Sequence, residues 1–564
     1  MNLIEETYQR WKQCVTDADL SAELAQLSEH PETLKDAFYQ NLSFGTGGLR
    51  GILGAGTNRM NIYTVAKASQ GLADYVLKNF SLDKHRIAIS YDSRIKSDVF
   101  SRVSAEVFAA NGLKVFIYPQ LRPTPCLSFA VRELHCAAGI MITASHNPAR
   151  YNGYKVYGAD GCQITTQAAG DILQEIEKLD IFADVKRVPF ETAVTSGQIQ
   201  YISPELDTAF IQAVKKESLL GSLPVDKNVS IVYSPLNGAG LKPVLRVLSE
   251  SGFANVTVVK EQEQPDGNFP TCPYPNPEIR EAMELGLQYA RQQKADLFLA
   301  TDPDCDRVGI AVKDAKGEYH LLFGNETGML LLDYVCSRRR ALGRMPSHPV
   351  FIKTIVTSDL QEKIAASYGV KTINVLTGFK FIGEQIGLLE KQGRIKDFIF
   401  GCEESYGYLS GTYVRDKDAV NGALLICEMF AYYKAQGKSL LTRLQELYDQ
   451  YGYCLNTLNS YQFEGAQGFE QMQRIMDTFR RQTTNIGSFK IEQQWDYNKG
   501  IDGLPKSNVI KFKLAGGHGA VLRPSGTEPK LKLYLSVTAS TSSQAQAIQT
   551  ELKKTIEDIK SKIS

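Results

Sequence analysis

AGIMITASHNPAR, residues 138–150, is the stretch on which the reading of this chain turns. The apolar run 139–142 stops at Thr143-Ala144-Ser145-His146-Asn147-Pro148, so a buried strand delivers a hydroxyl and an imidazole to a sharply turned loop. Ser, Asn and Pro also build ordinary capped turns, but loops on rigid strands often carry function. Upstream, strand 87–91, helix 98–111, strand 115–118, a proline-punctuated turn at 123–125, helix 127–134 and strand 139–142 alternate. The alternation predicts a mainly parallel sheet with helices on its faces. Ligands of such sheets bind beyond the carboxyl ends of the strands, where the Ser145 loop lies.

Further outward, residues 1–40 read as a helical preface with Tyr8, Trp11, Val15, Leu20, Leu24 and Leu27 inward. FGTGGLRG, residues 44–51, sets Arg50 among glycines, which suits a phosphate group but also a plain flexible turn. A second α/β unit runs from helix 206–217 through strand 229–233 and the turn 234–240. It includes QPDGNFPTCPYPNPE, residues 264–278, whose five prolines predict a rigid irregular loop. Strand 295–300 then leads into Thr301-Asp302-Pro303-Asp304-Cys305-Asp306-Arg307. A third unit holds strand 350–355, the turn Thr377-Gly378-Phe379-Lys380, and strand 397–400 before Gly401-Cys402-Glu403-Glu404-Ser405.

AGIMITASHNP, ADLFLATDPDCD and KDFIFGCEESYG each put an apolar strand before a short polar loop. Three related domains facing one cleft are therefore expected. After Tyr453 the pattern changes to strand 457–462, helix 467–481, strands 509–514 and 530–537, and helix 543–563. The expected fold is α/β: three related mixed α/β domains plus a smaller C-terminal α+β domain around a central cleft. The boundaries read as 1–205, 206–322, 323–453 and 454–564.

The 564 residues allow about three to five domains. Sixty-three basic against 62 acidic residues leave a net charge of +1, so no global field draws the chain to nucleic acid or an anionic membrane. The N-terminus lacks a secretory apolar segment, and the most apolar stretches, 328–336 and 423–433, are short and carry Asp333 and Glu428. Ten scattered cysteines without a CxxC pair fit reduced thiols, and a cytoplasmic location is expected.

Asp302, Asp304 and Asp306 alternate along one loop, so their carboxylates can converge as hard oxygen ligands suited to Mg²⁺. The glycine and distal glutamate of an EF-hand are absent, while a metal-free acidic turn is the bland alternative. If Ser145 faces such a metal, its hydroxyl can carry a phosphoryl group, with Lys155 or His146 handling protons. His146 equally fits a structural hydrogen-bonding role. No GxSxG elbow is present, which disfavours a Ser-His-Asp hydrolase. Arg523, Ser525, Gly526 and Thr527, in RPSGTEPK, suit an anion-binding nest or a solvated hairpin.

FGTGGLRG, TASHNP followed by NGYK, PDGNFPTCPYPNPE, DPDCDR, EES and RPSGTEPK occur in the order found in the alpha-D-phosphohexomutases, and the resemblance covers nearly the whole chain. Within that family it is most similar to the longer bacterial phosphoglucomutases, which are similar to the phosphoglucomutase-2 and phosphopentomutase branch. The resemblance implies four domains, a phosphoserine resting enzyme, bound Mg²⁺ and a sugar bisphosphate as both intermediate and activator. It makes Ser145 the phosphoryl carrier and a metal neighbour, Asp302, Asp304 and Asp306 the Mg²⁺ ligands, and Arg50, His146, Lys155 and Arg307 the residues around the transferring group. It assigns Glu403 and Ser405 to sugar hydroxyls, Arg523, Ser525, Gly526 and Thr527 to the distal phosphate, and Thr377, Gly378, Lys380 and Lys417 to substrate.

The implied reaction interconverts glucose 1-phosphate and glucose 6-phosphate through glucose 1,6-bisphosphate. Phosphomannomutase and phosphopentomutase activities are the near alternatives, because Cys402 precedes Glu403 where many relatives have glycine, and Phe379 stands where some glucose-specific relatives have tryptophan. A metal-dependent sugar phosphatase and a non-catalytic sugar-phosphate binder are the more distant ones. The sequence leaves the oligomeric state open.

Overall fold

The apolar run before Ser145 forms the strand Ala138–Ile142, buried along its whole length. The computed structural model describes residues 3–45, 47–463, 465–481, 484–501, 503–524 and 530–563. In it, Ala138–Ile142 pairs parallel with Arg86–Tyr91 and antiparallel with Tyr151–Gly158. The seven-stranded sheet has the order Phe44–Gly45, Gly48–Ile52, Tyr151–Gly158, Ala138–Ile142, Arg86–Tyr91, Lys114–Ile117, Ile199–Tyr201. The first four strands in this order pair antiparallel with one another, and the pairs from Ala138–Ile142 onward are parallel.

The expectation of a mainly parallel sheet is thereby corrected to a mixed one. The loop 143–150 is too short to carry a crossover, so the next strand must return antiparallel. That strand, YNGYKVYG, and the glycine-rich Gly48–Ile52 were not anticipated as strands. The prolines at 123 and 125 mark the entry of the helix Thr124–Glu133 and not a separate turn, because proline is tolerated in a first helical turn.

The second sheet has the order Tyr319–Leu322, Val308–Lys313, Leu297–Thr301, Ile231–Ser234, Val256–Val258. Leu297–Thr301 and Val308–Lys313 are antiparallel, so the acidic stretch 302–307 is the loop of a hairpin between buried strands. Residues 264–278 contain neither helix nor strand, as their prolines predict. The helices Leu3–Cys14, Ala18–Leu27 and Pro31–Phe38 open the chain. Tyr8, Trp11, Val15, Leu24 and Leu27 are buried, and Trp11 packs edge-to-face on Phe38, Tyr63 and Phe182.

These elements belong to one compact unit, Met1–Leu322 with Ile382–Ile395 and Tyr406–Ala431; Phe323–Phe381, Lys396–Ser405 and Tyr432–Ser564 form another. In the latter, Val350–Thr354 lies between Lys371–Val375 and Phe398–Glu403, parallel to both. Its C-terminal part is a six-stranded sheet in the order Tyr453–Gln462, Lys530–Ala539, His518–Pro524, Ile510–Leu514, Phe489–Asp496, Asn485–Ile486. The helices Gly465–Arg481 and Ser542–Ile563 accompany it, and Met472, Ile475, Phe479, Phe512, Leu533 and Leu552 are among its core residues. Among the described residues no helix is long and apolar enough to cross a membrane.

The helix Ala419–Ala435 begins at Asp418, a fully buried carboxyl. It accepts from Val420 N at 2.8 Å and Asn421 N at 3.2 Å, and from the Tyr413 hydroxyl at 2.6 Å. Burial nevertheless pushes it up to about 6. A native carboxyl above its unfolded value contributes stability that is complete below about pH 4 and lost as the pH rises through about 6. Asp418→Asn should therefore flatten the pH dependence of urea-unfolding free energy between about pH 4 and 6 by at most about 3 kcal/mol.

Candidate active site

Ser145 sits at the carboxyl end of its strand with φ 54°, a left-handed conformation that is unusual for a residue with a β-carbon. Its N–H donates to Thr143 Oγ1 at 2.7 Å, and Thr143 donates to Asp92 Oδ2 at 2.6 Å. These bonds turn the side chain toward the second sheet. There Ser145 Oγ donates to Asp302 Oδ2 at 3.0 Å and lies 3.2 Å from His146 Nδ1. Only 4% of Ser145 is exposed. Cys305 in the acidic loop and Tyr406 after the Glu403 strand are also left-handed, at φ 49° and 66°, so each of the three comparable strand ends is followed by a non-glycine residue in this strained region.

Asp302, Asp304 and Asp306 are all buried, and one oxygen from each lies within 4.8 Å of the others. Asp302 Oδ1 accepts the N–H groups of Asp306 and Arg307 at 3.1 and 3.0 Å, which closes the loop on itself. Asp304 Oδ2 meets Lys155 Nζ at 2.8 Å and the Thr124 hydroxyl at 3.0 Å. Asp306 Oδ2 meets Lys417 Nζ at 2.9 Å and Lys155 Nζ at 3.5 Å.

The second oxygens of Asp304 and Asp306 are buried without a hydrogen-bond partner. Burial, with Asp306 and Asp304 close by, pushes the Asp302 carboxyl well up, whereas Lys155 overcomes burial to hold Asp304 well below the usual carboxylate range. Converging hard oxygens, two of them unpartnered, fit a small divalent cation.

Arg307 pairs with Glu278 at 2.7 Å, and its Nε lies 3.9 Å from both Asp302 and Asp306. Arg50 is exposed on the strand Gly48–Ile52 and reaches Asn147 Oδ1 at 3.4 Å. Burial and the charges of Arg307 and Arg50 hold His146 well below its ordinary value. Lys155 keeps its proton, because Asp304 and Asp306 outweigh burial. The structure thus brings Ser145, His146, Lys155, Arg50, Arg307, Lys417 and the aspartate triad into one set of contacts.

The other expected residues lie in the second unit. Glu403 is buried at the end of Phe398–Glu403, and Ser405 follows it. Gly378 has φ 117°, and Lys380 lies in the first turn of the helix Phe379–Lys391. Phe379 and Cys402 are buried. Arg523 lies near the end of His518–Pro524, while Ser525, Gly526 and Thr527 fall outside the described residues.

Sequence reasoning missed Asp92, Arg94, Thr124 and Glu278. Asp92-Ser93-Arg94 directly follows the buried strand Arg86–Tyr91, the same placement that singled out the other loops. Arg94 is itself buried beneath the Ser145 loop and bonds to its carbonyl groups.

Three domain patterns of one family match the chain. They are described as phosphoglucomutase/phosphomannomutase, alpha/beta/alpha domains I, II and III, and cover residues 41–181, 208–317 and 323–451. The chain is 37% identical to a phosphoglucomutase of Staphylococcus saprophyticus over 508 residues, 88% of this chain and 90% of that one. It is also 37% identical to a phosphoglucomutase of Staphylococcus haemolyticus over 519 residues, 89% of this chain and 91% of that one.

Among solved structures, a phosphoglucomutase/phosphomannomutase family protein from Burkholderia thailandensis superposes with a TM-score of 0.67 at 17% identity, covering 92% of this chain and 97% of that one. The open form of the Paramecium phosphoglucomutase parafusin gives 0.69 at 19% identity, covering 92% and 95%. At these identities the likeness speaks to the fold alone. With the family's three α/β/α domains matched in order and curated relatives aligned along most of its length, the chain belongs to the phosphoglucomutase/phosphomannomutase family of alpha-D-phosphohexomutases.

Proposed function

We propose that this chain is an isomerase that interconverts glucose 1-phosphate and glucose 6-phosphate, with Ser145 carrying a phosphoryl group between the two ends of the sugar. The observation that carries this reading is the 3.0 Å approach of Ser145 Oγ to Asp302, which brings a nucleophile from one sheet to an acidic triad on another. The relatives named phosphoglucomutase support glucose as the sugar.

In the resting enzyme Ser145 is phosphorylated. A hydroxyl oxygen of glucose 1-phosphate attacks phosphorus, the Ser145 Oγ–P bond breaks, and glucose 1,6-bisphosphate forms. As the Oγ–P bond breaks, the attacking hydroxyl gives up its proton and Ser145 Oγ takes one, with Lys155, which keeps its proton, or neutral His146, whose Nδ1 lies 3.2 Å from Oγ, handling these transfers. The bisphosphate turns over, and its other phosphoryl group returns to Ser145 by the reverse steps. Lys155, Lys417, Arg307 and Arg50 offset charge around the transferring group. Mg²⁺, when bound by Asp302, Asp304, Asp306 and the Ser145 phosphoryl group, supplies Lewis-acid neutralisation of the developing charge.

Glu403 and Ser405 are assigned the sugar hydroxyls, Thr377, Gly378, Lys380 and Lys417 further substrate contacts, and Arg523, Ser525, Gly526 and Thr527 the phosphate that is not reacting. The four segments 1–205, 206–322, 323–453 and 454–564 are proposed as its domains. A cytoplasmic setting is in keeping with ten cysteines, none of them paired.

An assay with Mg²⁺ and a trace of glucose 1,6-bisphosphate tests the reading. Glucose 1-phosphate should be isomerised with a higher kcat/KM than mannose 1-phosphate or ribose 1-phosphate. Faster turnover of either competitor, or release of free phosphate in step with substrate loss, would overturn it.

A further inference from the structure

Arg94 is among the most deeply buried charged side chains in the first unit, and its guanidinium forms an ion pair with Asp92 in which Nε makes no hydrogen bond. Asp92 lies 3.5 Å from Nε and already accepts from Thr143 Oγ1, Arg94 N and Ser97 Oγ. One ion pair does not satisfy a buried guanidinium, whose other N–H groups are costly to bury without acceptors.

Here they are satisfied by carbonyl oxygens. Nη2 donates to Ser145 O at 2.6 Å and to Asn147 O; Nη1 donates to Pro148 O and Tyr151 O, both at 3.0 Å. Three of the four acceptors belong to the loop 143–150 that carries Ser145, and the fourth, Tyr151, opens the strand that follows it. A planar fork can gather four carbonyls in this way, and a lysine ammonium with three donors cannot.

The outer face of the guanidinium is covered by Phe269, whose ring centre lies 5.1 Å away. Phe269 comes from the proline-rich segment 264–278, to which the reaction scheme gives no role. The neighbouring Gly267 packs so closely on residues 93–95 that an added β-carbon would lie 2.4 Å from Ile95 N. Phe269 also holds a left-handed φ of 47°. The segment therefore seals the arginine from the side of the domain pattern that contains Asp302, Asp304 and Asp306.

We propose that Arg94, capped by Phe269, is a positioning residue: it fixes the left-handed Ser145 loop so that Oγ meets the aspartate triad, and so governs phosphoryl transfer and not sugar-phosphate binding. This rests on the reading of Ser145 as the phosphoryl carrier. Misplacing a reacting group by about 1 Å can cost about 100-fold in rate. Arg94→Lys in the full-length protein should thus lower kcat for glucose 1-phosphate by about 100-fold, with KM within about threefold, and should slow loading of phosphate onto Ser145 from glucose 1,6-bisphosphate to a similar degree.

Phe269→Leu leaves the guanidinium and its four carbonyls in place, and should lower kcat in the same direction by a smaller factor. It decides the matter should Arg94→Lys fail to fold. A merely structural arginine would lower the unfolding midpoint while the folded protein kept its kcat and its loading rate. Unchanged kcat in folded Arg94→Lys, a loss confined to KM, or wild-type kcat in Phe269→Leu would each overturn the proposal. Absence of phosphate on Ser145 in the wild-type protein would instead overturn the phosphoserine reading itself.

Discussion

Replacing Ser145 by alanine is expected to lower kcat for the isomerisation of glucose 1-phosphate by at least about 10⁴-fold, since it removes the atom that carries the phosphoryl group. The change deletes one oxygen. It leaves the N–H of residue 145 on Thr143 and the loop carbonyls on Arg94. Circular dichroism and the unfolding midpoint should therefore stay close to wild type. The residual rate should not respond to glucose 1,6-bisphosphate, because the variant has nothing to load. A variant that keeps a tenth of the wild-type kcat would place the carrier elsewhere.

Asp302→Asn is expected to cost about 10³-fold in kcat and to weaken Mg²⁺ binding by at least about 100-fold, because it removes one of three charged hard-oxygen ligands. Asparagine retains an oxygen for the Asp306 and Arg307 N–H groups, so the loop should keep its shape. Calorimetric titration with Mg²⁺ alone reads the binding separately from activity. A chelator should silence the wild-type enzyme, and added Mg²⁺ should restore it but not the variant. Equal Mg²⁺ affinity in the two proteins would remove Asp302 from the metal site.

What could be read beforehand was whatever the chain encodes contiguously. Short segments carry the strand and its polar loop at 138–150, the alternating aspartates at 302–306, and the glycine-rich turn around Arg50. Each strand ends where an apolar run meets Thr143, Asp302 or Glu403. The antiparallel return Tyr151–Gly158 was less visible, because its glycine and polar residues interrupt the apolar run that marks a buried strand. Arg94 was hidden for a different reason. Its acceptors lie 51 to 57 residues downstream and are backbone carbonyls, which leave no signature in side-chain types. Lys155 and Asp304 are 149 residues apart, and only the meeting of two sheets joins them.

Phosphoryl transfer through Ser145 depends most directly on the chemical state of that one side chain. Peptide mass spectrometry of the freshly purified protein, repeated after incubation with glucose 1,6-bisphosphate and Mg²⁺, measures it. The prediction is one added phosphoryl group, located on Ser145, whose occupancy rises on incubation and falls when glucose 1-phosphate is supplied. A Ser145 peptide that stays unmodified while glucose 1-phosphate is still converted to glucose 6-phosphate would contradict it.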